Sequence, residues 1–151
     1  MLLDTGILYA FADKSDRHNT DSRAIMYRCL KGDFGVPIIV DYCVLETLTL
    51  LQQRSLSSVI SALLEFIREN RLRIHFVSEQ IFTDVTKLTI EKMKDNLSLT
   101  DCAQIVVSRE LNVETIATFD AGLANFFKTS FGDGYFELLQ EKEKRLLLSK
   151  K

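Results

Sequence analysis

The chain has 151 residues and a mass of 17.3 kDa, which suits one domain with a sizeable core. Its net charge of −2 and pI of about 5.7 argue against a protein that binds nucleic acid through overall positive charge, but leave room for a local basic rim. No segment has the apolar length of a membrane span, the three cysteines are isolated, and the N-terminus lacks a basic signal-peptide start, so we expect a cytoplasmic protein.

The chain has few residues that break helices, namely one proline and six glycines. This composition predicts long helices joined by short loops. The predicted strands, from apolar or β-branched runs, are 2–4, 36–40, 73–77 and 114–118. The predicted helices, from apolar residues at helical spacing, are about 7–12, 20–31, 41–53, 55–70, 78–94, 100–111 and 121–127. Asp41, Ser55 and Ser78 are the expected caps of three of these helices.

The alternation of strands and helices predicts an α/β fold with three layers, a parallel sheet of four or five strands with helices on both faces. The chain has no internal repeat, so residues 1–151 are predicted to form a single domain. The segment GDGYFELL (132–139) is the candidate for a fifth strand. The tail at 134–149 is predicted to be helical, and its charged end EKEKR is either a solvated face or a surface for a partner.

Four acidic residues are predicted to meet at one edge of this sheet. Asp4 ends the first strand, and Asp120 follows the fourth. Glu46 and Asp101 lie early in helices that begin at the same edge. Ligands of open parallel sheets lie outside the carboxyl ends of the strands, so this edge is the expected site.

Each acid also has a simpler explanation as a local structural residue. Asp4 or Thr5 can cap the first helix, Asp101 can form a capping box with Ser98, and Asp120 can cap the helix at 121–127. Glu46 can be a surface charge. Together, however, four carboxylates at one edge repel each other unless a cation neutralises them. Oxygen ligands of this kind suit Mg²⁺ or Mn²⁺, which would also bind substrate phosphates.

Four short motifs occur here in an order known from one family. They are Asp4-Thr5 after an apolar strand, Glu46 in an apolar helix, Ser98-x-x-Asp101 before a helix, and Thr118-Phe119-Asp120 after the last strand. Over roughly residues 1–127 this set resembles the PIN domain, and most of all the small VapC-type toxins. After Asp120, where many relatives carry a further acid or histidine, this chain has Ala121, Gly122 and Leu123, which weakens the support for a second metal ion.

The resemblance implies a Mg²⁺- or Mn²⁺-dependent endoribonuclease that hydrolyses RNA phosphodiester bonds as the toxin of a toxin–antitoxin pair. The implied catalytic and metal-binding residues are Asp4, Glu46, Asp101 and Asp120, with Thr5, Ser98 and Thr118 as supporting polar groups. The implied partners are RNA, an antitoxin protein and a second copy of the chain, with no membrane. The candidates for contacts with RNA phosphates, each of which is also explained as a solvated charge, are Lys14, Arg17 and Arg54.

Other enzyme classes lack their motifs in this sequence. Gly6 stands where a haloacid-dehalogenase-like phosphatase has its second aspartate, and no glycine-rich phosphate loop or Gly-x-Ser-x-Gly motif is present. The remaining alternative is a PIN-like interaction module with little or no nuclease activity. Retention of all four acids favours the enzyme, since a scaffold gains nothing from their repulsion.

Overall fold

The computed structural model describes residues 1–54, 56–70 and 72–149, and within them five strands form one sheet in the order β3-β2-β1-β4-β5. All four strand pairs are parallel, which confirms the predicted fold class. The strands are β1 Leu2–Leu3, β2 Ile38–Val40, β3 Arg73–His75, β4 Thr115–Ala117 and β5 Thr129–Phe131. The helices are α1 Thr5–Ala12, α2 Asn19–Leu30, α3 Asp41–Gln53, α4 Ser57–Glu69, α5 Glu79–Glu91, α6 Leu99–Glu110, α7 Ala121–Ala124 and α8 Glu141–Ser149, with 3-10 turns at Met93–Asp95 and Tyr135–Leu138.

The central strand β1 lies in the middle of the core. Leu2 pairs with Ile38 of β2 on one side and with Ile116 of β4 on the other. Strands buried on both faces are uniformly apolar, which is why the N-terminal run was readable as a strand. Strand β1 therefore ends just before Asp4, and it has a neighbouring strand on each side.

The fifth strand does not lie where the sequence indicated. The prediction of a strand in GDGYFELL is wrong, because β5 precedes that segment and the segment itself forms a 3-10 turn. Gly134 has a positive φ of 74°, and the side chain of Asp21 accepts the backbone N–H groups of Gly134 (3.1 Å) and Phe136 (2.8 Å). Two backbone donors of this segment therefore bond to a side chain on α2 and others bond within the segment, instead of to a neighbouring strand.

The helix boundaries differ from the predictions mainly at caps. Helix α1 begins at Thr5, two residues before the predicted start, because Asp4 is its N-terminal cap. The prediction of Ser78 as a cap is confirmed, since its hydroxyl accepts the N–H of Ile81, whereas Ser55 lies outside the described residues. Helix α7 has four residues in place of the seven predicted. No helix among the described residues is long and apolar enough to cross a membrane.

The C-terminal end of α1 is closed by a buried asparagine. The Asn19 side-chain amide donates to the backbone carbonyl of Ala10 at 2.6 Å and approaches that of Asp13 at 3.3 Å. We expect Asn19→Ala to lower the free energy of unfolding by about 1–3 kcal/mol, because buried carbonyls lose their donor. Chemical denaturation measures this loss, and the exposed Asn125→Ala, as control, should change stability by less than about 0.5 kcal/mol. Equal effects of the two variants would contradict the assignment.

The C-terminal tail is attached to α2 by several polar contacts. Glu143 of α8 forms ion pairs with Arg28 and Lys31, each at 3.2 Å, and its side chain is only 12% exposed. Arg23 donates to the backbone carbonyl of Leu147 at 2.6 Å. The prediction of EKEKR as a solvated face is therefore wrong for Glu143, although Arg145 in the same stretch is exposed.

Candidate active site

Asp4 is held at the end of β1 by three hydrogen bonds. Its Oδ1 accepts the backbone N–H of Thr5 at 2.7 Å and the side-chain amide N–H of Gln104 at 2.8 Å, while its Oδ2 accepts the Thr118 hydroxyl at 2.7 Å. The residue is only 7% exposed. Burial raises the pKa of Asp4 above its ordinary value, and the bonds from Thr118 and Gln104 oppose that rise. A buried carboxylate with several donors is thereby fixed in one orientation.

Thr5 connects Asp4 to Glu46 on the neighbouring helix. Its backbone N–H binds Asp4, and its hydroxyl donates to Oε2 of Glu46 at 2.7 Å. Glu46 lies on the second turn of α3, whose first residues follow β2 at the same edge of the sheet. The structure thus brings Glu46 beside Asp4, as the sequence predicted, and shows that Thr5 orients it.

Asp101 lies at the start of α6 and makes the predicted capping box. Its Oδ2 accepts the backbone N–H of Ser98 at 2.7 Å, and Ser98 Oγ accepts the N–H of Asp101 at 3.0 Å. Burial raises the pKa of Asp101, and the negative charges of Asp120 and Glu46 raise it further. The charge of Asp101 likewise contributes to the raised pKa of Asp4. Asp101 therefore interacts electrostatically with all three other acids, and the cap and the acidic site coincide.

Asp120 is exposed and caps the short helix α7. Its Oδ1 accepts the N–H groups of Gly122 at 2.6 Å and Leu123 at 3.0 Å. The Thr118 hydroxyl accepts the Asp120 N–H at 3.0 Å and donates to Asp4, so Thr118 connects the two acids. The predicted capping function of Asp120 is confirmed, although the helix it caps is shorter.

Three of the four acids keep an oxygen that the hydrogen bonds of the fold do not use. Glu46 Oε1, Asp101 Oδ1 and Asp120 Oδ2 accept no hydrogen bond from any residue in the described ranges. None of the four forms an ion pair within 4.0 Å with a described lysine, arginine or histidine. Among described residues, no three of these acids place one oxygen each within 4.8 Å of one another. The result is an uncompensated acidic edge that is more open than a tight three-carboxylate cluster.

The three basic candidates lie at different distances from this edge. Arg17 is exposed and adjoins His18, whose ring stacks on Phe119, the residue before Asp120, with centroids 4.3 Å apart. Arg54 follows α3 and lies about 12 Å beyond Glu46 along the helix axis. It is 62% exposed and pairs with Asp13 at 3.4 Å. Lys14 follows the far end of α1 and is exposed. Arg17 is thus connected, through His18 and Phe119, to the segment that carries Asp120.

A second group of metal-ligand types is explained by hydrogen bonding. His18, Asp21 and Asp133 place ligand atoms within 4.8 Å of one another. However, His18 Nδ1 lies 2.7 Å from Asp133 Oδ1, and His18 Nε2 accepts from Arg17 Nε at 2.7 Å. Asp21 already accepts two backbone N–H groups. The hydrogen bonds of this group therefore hold the segment after β5 against the start of α2.

Gln104 is the residue of this site that sequence reasoning missed. It is fully buried on α6 and binds Asp4 directly. The available signal was a polar residue inside the apolar run CAQIVV, three positions after Asp101 and so on the same helix face.

A family model described as the PIN domain matches residues 1–128. The chain belongs to the PIN-domain family. A VapC ribonuclease of Archaeoglobus fulgidus is 28% identical to it over 146 residues, which cover 95% of this chain and 90% of that relative. The predicted resemblance to VapC-type PIN domains is therefore confirmed.

Two solved structures share the fold of this PIN domain. VapC20 of Mycobacterium tuberculosis, described as a toxin that cleaves the sarcin-ricin loop, superposes with a TM-score of 0.71 and 18% identity, over 82% of this chain and 92% of that one. The Pyrobaculum aerophilum protein PAE2754 superposes with a TM-score of 0.60 and 16% identity, over 99% of this chain and 95% of that one. The family match ends before β5, so β5, the 3-10 turn after it and α8 lie outside the matched range.

Proposed function

We propose that this PIN domain is a metal-dependent endoribonuclease that hydrolyses RNA phosphodiester bonds as the toxin of a toxin–antitoxin pair. The observation that carries the proposal is the uncompensated acidic edge, in which Asp101 interacts electrostatically with Asp4, Glu46 and Asp120. Repulsion of this kind costs stability, and a bound divalent cation removes the cost. The similarity to a VapC ribonuclease supports RNA as the substrate.

The residues at this edge fit Mg²⁺ or Mn²⁺. All four groups are carboxylates, the oxygen ligands that hard divalent cations prefer, and three of them keep one oxygen that accepts no hydrogen bond from the described residues. No three of these described acids bring one oxygen each within 4.8 Å of one another, which agrees with Mg²⁺, because this ion keeps several water ligands and takes only one or two direct carboxylates. The expected ligands are Asp4, Glu46 and Asp101, with Asp120 completing the site or placing a water molecule.

The side chains of the chain itself perform the positioning steps. When bound, the cation supplies positive charge that polarises the phosphodiester group and makes water more acidic. Thr5 holds Glu46, Ser98 holds Asp101, and Thr118 holds Asp4 while accepting the N–H of Asp120. In this proposal the exposed carboxylate of Asp120 orients the attacking water and takes its proton. Arg17, whose neighbour His18 stacks on Phe119, is the proposed contact for an adjacent phosphate.

The proposed cellular setting follows from the same similarity. We propose a cytoplasmic protein whose partner antitoxin inserts a basic side chain among the acids, since a cation of either kind would relieve their repulsion. We also propose that residues 1–151 form a single domain that acts as a homodimer.

One observation favours the alternative of an interaction module without nuclease activity. Both hydrogen bonds of Asp120 Oδ1 go to the backbone of α7, and no three of the acids converge within 4.8 Å. On this alternative Asp4, Asp101 and Asp120 act only as helix caps, and Glu46 only accepts the hydrogen bond from Thr5. The two functions differ in one testable respect, because caps alone require no metal ion.

The test is RNA cleavage by the purified chain after treatment with a chelator. We expect no cleavage in the chelator and full recovery when Mg²⁺ or Mn²⁺ is added in excess. The Asp101→Asn variant, purified in the same way, controls for contaminating ribonuclease and should stay inactive. Cleavage that persists in excess chelator, or that the variant retains, would contradict the metal mechanism. Absence of cleavage under all metal conditions and with varied RNAs would favour the interaction module.

A further inference from the structure

We infer that Gln104 is a positioning residue that fixes the Asp4 carboxylate so that Oδ2 is the oxygen presented to a divalent cation. The inference rests on the proposed function and adds a residue to it. Gln104 is 0% exposed, so it cannot contact RNA, and it acts only through Asp4.

Gln104 shares one face of α6 with Asp101 and contacts Asp4. Gln104 lies three positions after Asp101 on α6, and residues three apart lie on the same side of a helix. Its amide N–H reaches Asp4 Oδ1 at 2.8 Å across the core. Helix α6 thus carries one expected cation ligand, Asp101, and the side chain that orients another.

The number of donors on each oxygen of Asp4 indicates which one remains available. A carboxylate oxygen offers about two acceptor positions. Oδ1 fills both, with the N–H groups of Thr5 and Gln104, whereas Oδ2 accepts only the Thr118 hydroxyl. Without the Gln104 bond, Oδ1 would regain a free position, and the carboxylate would lose one of the three hydrogen bonds that fix its orientation. Gln104 therefore selects the coordinating oxygen.

The other end of the Gln104 side chain indicates that it is not kept for stability. Its Oε1 is buried and accepts no hydrogen bond from the described residues. An unsatisfied buried carbonyl costs stability, and an apolar side chain of the same size would avoid that cost. A glutamine is therefore useful at this position chiefly through the N–H that it gives to Asp4.

The test replaces Gln104 with methionine, which has a similar length and no amide. We expect Gln104→Met to bind Mn²⁺ about tenfold to 100-fold more weakly by calorimetry, the usual loss when a metal ligand loses its supporting hydrogen bond. Its melting temperature without metal should equal or exceed that of the wild type. In RNA cleavage kcat should fall while KM stays unchanged, because Gln104 cannot touch the substrate.

A control and a second variant make each outcome decisive. Ser108 is also buried on α6, but its hydroxyl donates to its own helix at Ile105, so Ser108→Ala should bind Mn²⁺ like the wild type. If Gln104→Met does not fold, Gln104→Asn keeps the amide but is one methylene shorter and should show the same loss. Wild-type Mn²⁺ affinity in the folded Gln104 variant would overturn the inference alone. A wild-type protein that binds no Mn²⁺ would overturn the proposed function, and the inference with it.

Discussion

Asp4→Asn is expected to lower the rate of RNA cleavage by more than about 100-fold, the upper end of what loss of a supporting partner costs a metal site. Asp4 is the most buried of the four acids, and its Oδ2 retains an acceptor position beside the bond from Thr118. Asparagine has the same shape but carries no charge, so the variant removes the negative charge of the proposed ligand and preserves the packing. Initial rates of cleavage of a fluorogenic RNA, measured over a range of Mn²⁺ concentrations, give the size of the loss.

The stability of the same variant separates a site residue from a structural cap. Because burial raises the pKa of Asp4, its ionised form disfavours the folded state, and the neutral asparagine should not lower the melting temperature. Asp95 is exposed and, among the described residues, forms an ion pair only with Lys92, so Asp95→Asn is the control and should keep full activity. If Asp4→Asn is largely unfolded but its folded fraction keeps full activity, the proposed catalytic role is contradicted. Asp4 would then act only as the N-terminal cap of α1.

Asp101→Asn is expected to raise the melting temperature without metal and to abolish the further rise that Mn²⁺ gives the wild type. Asparagine can still accept the N–H of Ser98, so the capping box survives while the central charge disappears. In the wild type, Mn²⁺ at 100 times its Kd should add about 2.7 kcal/mol to the free energy of unfolding. The variant should gain only a small part of that.

The pH dependence of this effect has a definite sign. The folded-state pKa of Asp101 is raised above its ordinary value of 3.8, so the charged group destabilises the fold above the raised pKa and ceases to do so below 3.8. The stabilisation by Asp101→Asn should therefore be full at pH 7 and vanish as the pH falls below about 4. Thermal melts at both values measure it. Asp84 is the matched control, since bonds from Gln80 and Lys87 lower its pKa, and Asp84→Asn should not stabilise the chain. Equal changes of melting temperature in the two variants would contradict repulsion between Asp101 and the other acids.

The acidic edge was predictable because local signals fix the ends of the elements. Apolar strands and N-terminal caps can be recognised in the sequence, and a parallel sheet brings the carboxyl ends of its strands together. Asp4, Asp101 and Asp120 can each be a helix cap and a site residue at once. Each uses one carboxylate oxygen to cap a helix, while its other oxygen keeps at least one free acceptor position. Their catalytic and metal-binding roles stay predictions.

Long-range contacts account for what the sequence did not predict. Gln104 meets Asp4 across 100 positions of sequence, and His18 meets Asp133 between two loops. Strand β5 has only three residues, two of them polar, and its pairing with β4 gives it a structure that its composition does not indicate. The turn after it depends on Asp21 of a distant helix. Contacts between residues so far apart in sequence form only in the folded chain, so the sequence pattern does not indicate them.

Calorimetric titration of Mn²⁺ into the metal-free protein tests the central claim most directly. The acidic edge predicts saturable binding that the Asp4→Asn variant loses and that weakens as the pH falls, because protons compete for the same oxygens. Heats equal to those of dilution for the wild type, or binding that Asp4→Asn leaves unchanged, would contradict a cation site at the end of β1.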